Sequence, residues 1–166
     1  MLIAAIAIHM TDKGPVFYKQ CRLTKDGKTF DVLKFRSMRV DAEKDGVARL
    51  STGEKDDRIT PVGKFIRKTR IDELPQLINI LKGDMSIVGP RPILTFQMEE
   101  CDEYDRQRLI VQPGLTCYWQ IGGRANIGWN EWVELDLDYI EDMSLWTDIK
   151  MIVKTVPAVF KGEGAY

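Results

Sequence analysis

Apolar residues fall in short blocks along this chain, and their period changes from block to block. Residues 1–10 (MLIAAIAIHM) carry eight apolar positions before His9. That is well short of the ~20 needed to cross a bilayer. The block also lacks the basic start and defined cleavage site of a secretory signal. It reads either as a buried helix of the fold or as the end of a longer membrane-inserted or interfacial segment. Turn residues at positions 11–15 close it. Val16-Phe17-Tyr18 and Thr29 to Phe35 read as strands joined through Asp26-Gly27, a hairpin signal. Residues 36–58 are charged, contain Gly46 and Gly53, and predict a long surface loop, either a lid or a solvated insertion.

Helical periods follow. Thr60-Pro61 is a helix start carrying Phe65, Ile66 and Arg67. A second helix is predicted over 72–82, with Leu74, Leu77, Ile78 and Leu81 at the spacing of a buried face and Gly83 as its stop. Pro75 is tolerated there in the first turn. Residues 96–110 predict a third, more polar helix, and 115–121 a strand or extended segment before a tight Gly122-Gly123-Arg124 loop. Asn130 is placed to cap a helix burying Trp132, Leu135 and Tyr139. Ser144 is placed to cap a last one with Leu145, Ile149, Ile152, Val153 and Val156 on its apolar side. The class is a helix-rich α+β single domain with a small β-hairpin.

Composition narrows the chemistry. The 166 residues suffice for one domain with a core. Net charge is −1, from 24 basic and 25 acidic residues, which argues against a nucleic-acid partner. Three widely spaced cysteines form neither a disulfide framework nor a metal-ligand pattern. With one histidine, His9, a multi-histidine metal site is excluded, and so is a His-based triad unless His9 serves it alone.

The chemically suggestive stretch is Arg67-Lys68-Thr69-Arg70-Ile71-Asp72-Glu73. A carboxylate at a helix start sits among electropositive N–H groups, where phosphate also binds. Neighbouring side chains point about 100° apart, so a division of labour is natural: one carboxylate attacks phosphorus, the other holds Mg²⁺. An Asp before a helix is ordinarily only a cap, and flanking arginines are ordinarily surface pairs, so the stretch alone does not decide. Pro90-Arg91-Pro92 fixes an arginine between two rigid residues, as a phosphate clamp or merely a stiff turn. Lys34 and Arg36 add cations at a strand end, where solubilising edge charge is the alternative.

Taken in order, GPVFYKQ (14–20), KFRSM (34–38), DELPQL (72–77), LKGDMSIVGPRP (81–92), QPGLT (112–116), SLWTDIKMIVKTV (144–156) and GEGAY (162–166) cover nearly the whole chain. The set resembles the bacterial sugar transferases, the monotopic phosphoglycosyl transferases. The nearest likeness is to the catalytic domain of exopolysaccharide- and capsule-type polyprenyl glycosylphosphotransferases. The resemblance implies transfer of a sugar 1-phosphate from a UDP-sugar to undecaprenyl phosphate, at the cytoplasmic face of the bacterial membrane, with release of UMP. It implies Asp72 as nucleophile and Glu73 as the Mg²⁺-associated acid. Lys34, Arg67, Pro90, Arg91, Pro92, Arg124 and Asp148 are then expected to bind substrate or phosphate. It also implies that residues 1–10 are the outgoing half of a re-entrant membrane helix and 11–166 the catalytic domain, so the chain is expected to be a fragment. Arg70 stands where the family often has Ser or Thr, and Gly122 where Ser or Asn is commoner. A non-catalytic nucleotide-sugar-binding or regulatory module is the alternative. The sequence leaves the sugar and the oligomeric state open, a homo-oligomer included.

Overall fold

The computed structural model describes residues 1–42, 56–121 and 127–161, apart from the side chains of 159–161. The order is α1 (Leu2–Thr11), β1 (Phe17–Leu23), β2 (Thr29–Phe35), α2 (Pro61–Lys68), α3 (Gln76–Lys82), β3 (Ser86–Val88), α4 (Glu103–Arg106), β4 (Gly114–Thr116), α5 (Tyr118–Ile121), α6 (Trp129–Glu141) and α7 (Leu145–Lys161). Short 3₁₀ turns at Lys25–Gly27, Ile71–Glu73, Thr95–Glu99 and Gln107–Ile110 join several of them. The helix-rich α+β expectation holds.

The β1–β2 hairpin is the spine. Its strands pair antiparallel from Phe17↔Phe35 to Leu23↔Thr29. Asp26 adopts a left-handed conformation at φ 61°, which Asp tolerates better than most residues. Hairpin side chains enter three of the four apolar clusters found among the described residues: Phe35 with Ile8 and Ile66, Leu23 with Ile93 and Cys101, and Phe30 and Val32 with Met85. The fourth cluster joins Val88, Tyr139 and Met151. A second, two-stranded parallel sheet, β3–β4, lies beside α7; of the strand or extended segment predicted over 115–121, only the start is strand, and Tyr118–Ile121 is helix α5.

Capping signals are realised where they are local. The Thr60 hydroxyl accepts from Gly63 N–H at 2.9 Å, Ser144 Oγ accepts from Thr147 N–H at 3.2 Å, and Gly83 closes α3 at φ 82°. The helix predicted over 96–110 is instead broken into turns around α4, and α6 begins after Gly128 rather than Asn130. The ends of the predicted 36–58 loop are not surface chain: Arg36, Ser37 and Asp56 are buried, and Met38 bridges to Ile59. Residues 43–55, the body of that loop, lie outside the described residues.

Two helix faces turn the opposite way from expectation. On α3 and its lead-in, Leu74, Leu77 and Leu81 are exposed, while Gln76 and Asn79 are buried. Asn79 explains the inversion. Its Oδ1 accepts from Leu33 N–H at 3.0 Å, and its Nδ2 donates to the Asp31 carbonyl at 2.8 Å. The free edge of β2 needs polar partners, and a leucine face cannot supply them. On α7 the inward stripe is Asp148, Met151 and Thr155. Tyr139 Oη donates to Asp148 at 2.8 Å, and Thr155 Oγ1 lies 2.9 Å from Thr116 Oγ1. Leu145, Ile149, Ile152, Val153 and Val156 are left exposed.

α1 shares this character. Ala4, Ala5 and Ile8 pack on Phe35 and Ile66, but Leu2, Ile3, Ile6 and Met10 are exposed. No helix among the described residues is long and apolar enough to cross a membrane.

Candidate active site

The acid pair is built by a chain reversal. α2 ends at Lys68, and Arg70 turns left-handed at φ 56°, an unfavourable conformation for a residue with a Cβ. A single 3₁₀ turn, Ile71–Glu73, follows, then Leu74 and Pro75 lead into α3. Asp72 therefore sits in this turn and not at the N-cap of the helix that the sequence predicted. Its electrostatics come from side chains. Asp72 is buried, and Glu73 is half-buried beside it.

Cations converge on the pair from four separate segments. Lys34 Nζ at the end of β2 donates to Glu73 Oε1 at 3.0 Å. Arg70 Nη1 lies 3.6 Å from Glu73 Oε2. Arg67, on α2, acts on Asp72 and is oriented by Nε donation to Ser37 Oγ at 2.8 Å. Arg91 and Arg22 act on Glu73. Burial, then the neighbouring Glu73 charge, push the Asp72 carboxyl up to about 6. Burial would also raise Glu73, but Lys34, Arg91 and Arg70 outweigh it and hold that group at about 2. The pair thus divides into a carboxylate that its cations hold charged and one that is more readily neutralised.

Five cationic side chains, Arg22, Lys34, Arg67, Arg70 and Arg91, thus surround two carboxylates. Lys34 registers the crowding. Burial pushes its ammonium below the ordinary value, and Arg91 and Arg22 add to the effect. A cluster with formal charge 5 − 2 = +3 is a site for a multiply charged anion.

Pro90-Arg91-Pro92 is held by its carbonyls. Prolines offer no N–H, so the C=O groups must anchor the segment. Gly114 N–H donates to the Pro90 carbonyl at 2.8 Å, Arg108 Nη2 to that of Arg91 at 3.2 Å, and Arg22 Nη1 to that of Pro92. Arg91 N–H donates to the Asp136 carboxylate, which is in turn bound by Arg108. The Arg91 guanidinium rests over the Trp119 ring at 5.4 Å, and Arg108 lies over Trp132 at 4.7 Å.

A model of the bacterial sugar transferase family matches residues 1–162. The chain belongs to that family. It is 49% identical over 164 residues to the galactosyl transferase CpsE of Streptococcus agalactiae serotype III, covering 93% of this chain and 36% of that protein. It is 42% identical to the undecaprenyl-phosphate galactose phosphotransferase of Salmonella typhimurium, over 93% of this chain and 35% of that one. It is 41% identical to the UDP-glucose:undecaprenyl-phosphate glucose-1-phosphate transferase of Caulobacter vibrioides, over all of this chain and 64% of the relative. The chain thus spans little more than a third of the first two and under two thirds of the third.

In this family member the structure brings Asp72, Glu73, Lys34, Arg67 and Arg91 together, with Pro90 and Pro92 as the mounting of Arg91. Asp148 stands apart, hydrogen-bonded to Tyr139. Arg124 lies outside the described residues. Arg22, Arg108, Asp136 and Trp119 escaped sequence reasoning. Asp136 did leave a signal: a carboxylate at the i+3 position between buried Val133 and Tyr139. Arg22 left none, being one of several polar residues on β1.

No group of three or more His, Cys, Asp or Glu side chains placed to hold a metal occurs among the described residues. Glu73 is the hard carboxylate that would hold a Mg²⁺ whose other ligands are water and substrate phosphate, in exchange for one of its contacts to Lys34 or Arg70. The donor set fits an ion that arrives with a diphosphate.

Proposed function

We propose that this chain is the catalytic part of an enzyme that transfers a sugar 1-phosphate from a UDP-sugar to undecaprenyl phosphate, starting exopolysaccharide or capsule glycan assembly at the cytoplasmic face of the bacterial membrane. The observation that carries the reading is a buried Asp72 within a surplus of cationic side chains. The names of the Salmonella and Caulobacter relatives supply the substrate classes.

An Asp72 carboxylate oxygen attacks the phosphorus that bears the sugar. The bond from that phosphorus to the bridging oxygen breaks, and UMP leaves with the electron pair. The sugar phosphate is then held as an acyl phosphate on Asp72. An oxygen of undecaprenyl phosphate attacks the same phosphorus, the bond to Asp72 breaks, and the carboxylate is restored. Neither step requires proton transfer. Lys34, Arg67 and Arg91 stabilise negative charge on the phosphoryl oxygens, the main electrostatic task of this chemistry. Bound with the donor diphosphate by Glu73, Mg²⁺ would supply further charge neutralisation. The exposed apolar residues of α1, α3 and α7 suit attachment to the membrane that holds the acceptor.

UMP release from a panel of UDP-sugars, with Mg²⁺ and undecaprenyl phosphate in detergent, tests the reading. Release should fall at least about 10³-fold in Asp72→Asn. Binding of UDP-sugar without UMP release at any acceptor concentration would instead support a nucleotide-sugar-binding module.

A further inference from the structure

A cavity of about 360 Å³ opens between the Asp72 turn and α7. Its lining includes Arg70, Glu73, Gln120 and three threonine side chains but is mostly apolar, with Leu74, Ile87, Ile152 and Val156 among the residues. Those four residues are also exposed to the outside, so the cavity is a groove and not a closed void. Two of its walls continue outward as apolar surface. Leu74 is followed by exposed Leu77 and Leu81 one and two turns on, and Ile152 and Val156 are flanked by exposed Ile149 and Val153.

Gln120 adds an independent signal. It is only 7% exposed and lines the groove, yet its Nε2 amide has no acceptor among the described residues. A buried donor of this kind is costly unless something satisfies it. Arg70, on the same lining, adds a positive charge to the groove.

We infer that this groove is the acceptor subsite, holding a polyprenyl phosphate with its phosphate at Arg70 and Gln120 and its first isoprenoid units along Leu74, Ile87, Ile152 and Val156. The identity of the lipid rests on the transferase reading; the shape and charge of the groove do not. A nucleotide sugar is a poor occupant, because a mostly apolar lining would strip water from its many hydroxyls and offer few partners in return. An amphiphile with a compact anionic head suits a mostly apolar lining that includes one cation and one unsatisfied amide. The volume lies at the small end of ligand pockets, so only the head-proximal part of a long polyprenyl chain fits. The remainder leaves over the apolar surface of α3 and α7. Glu73 borders both the groove and the cationic cluster, so the head lies next to the Asp72 turn.

The test is photo-crosslinking of the membrane-extracted protein with a polyprenyl phosphate bearing a diazirine in its first isoprenoid units. Label is expected in peptides carrying the groove's lining, residues 69–77, 86–88, 114–121 and 145–158. Undecaprenyl phosphate should compete it away, and polyprenol lacking the phosphate should not. Ile152→Trp and Val156→Phe fill the groove at exposed positions and should raise the acceptor KM about tenfold, with the donor KM changed less than about twofold. Gln120→Met, which removes the donor at similar size, should move the acceptor KM in the same sense. Label elsewhere, equal competition by polyprenol or a phospholipid, or equal shifts in both KM values would overturn the assignment. Groove label in a protein that transfers no sugar would uphold the lipid site and refute the transferase reading.

Discussion

Arg108 and Asp136 form a buried ion pair that brackets the peptide unit of Arg91: Arg108 donates to the Arg91 carbonyl, and Asp136 accepts from its N–H. Neither reaches the acid pair itself. Their effect is to fix the backbone from which Arg91 extends towards Glu73, with Trp119, Trp129 and Trp132 excluding water around the two guanidinium groups. Asp136→Ala would leave Arg108 charged and buried without its partner, at a cost of about 3–5 kcal/mol. Paired replacement, Arg108→Met with Asp136→Leu, should cost markedly less stability while still weakening UDP-sugar binding. Urea midpoints for the three proteins check this; equal losses in single and double variants would contradict it.

Arg22 holds the other end of the same segment through the Pro92 carbonyl, and is itself oriented by Gln20 Oε1 at 2.9 Å from Nη2. Arg22→Met should raise the UDP-sugar KM about tenfold or more, the scale of one hydrogen bond to a charged group at about 1.5–3 kcal/mol. The thermal midpoint should move little. Unchanged donor KM would show that Arg91 is adequately held without it.

Gly63 is a packing requirement of α2. A Cβ there would fall 1.8 Å from the Ser37 carbonyl oxygen. Gly63→Ala should therefore destabilise by about 1–3 kcal/mol and move Ser37, the partner of Arg67. Gly128→Ala is the milder comparison: none of the described residues lies within 4 Å of that position, and only the N-cap preference for Gly over Ala is lost. Calorimetry should show the larger drop in midpoint for Gly63→Ala.

The cysteines report on burial. Cys117 is buried, and its thiol is pushed up to about 12 by burial and then by Asp136. At pH 8 about one molecule in 10⁴ carries the thiolate that alkylation needs. Cys21 is exposed. Iodoacetamide at pH 8 should label Cys21 in the native protein and Cys117 only after denaturation. Rapid native labelling of Cys117 would contradict the packing of α5.

What the sequence disclosed was mostly local. Hairpin strands, the Thr60 and Ser144 caps, the Gly83 stop and the cation-flanked Asp72-Glu73 pair depend on residues close in the chain, and periodicity and turn chemistry report on those. The sidedness of α3 and α7 was not legible, because a 3.6-residue period locates an apolar stripe without saying whether protein covers it. Only the meeting of Asn79 with the β2 edge settles which face turns inward. The bracket of Arg108, Asp136 and Arg22 around Pro90-Arg91-Pro92 was hidden for a related reason: Arg22 lies 70 residues from the carbonyl it holds. The Asp72 turn departed from its predicted N-cap because left-handed Arg70 and a 3₁₀ turn intervene before α3.

A covalent sugar phosphate at Asp72 is the most direct mark of the proposed reaction. Intact-protein mass spectrometry after incubation with the cognate UDP-sugar and Mg²⁺, without acceptor, should show one added sugar phosphate with matching UMP release. The adduct should map to the peptide containing Asp72, disappear on addition of undecaprenyl phosphate, and be absent from Asp72→Asn. Full turnover by Asp72→Asn, or turnover by the wild type with an adduct on some other residue, would contradict it.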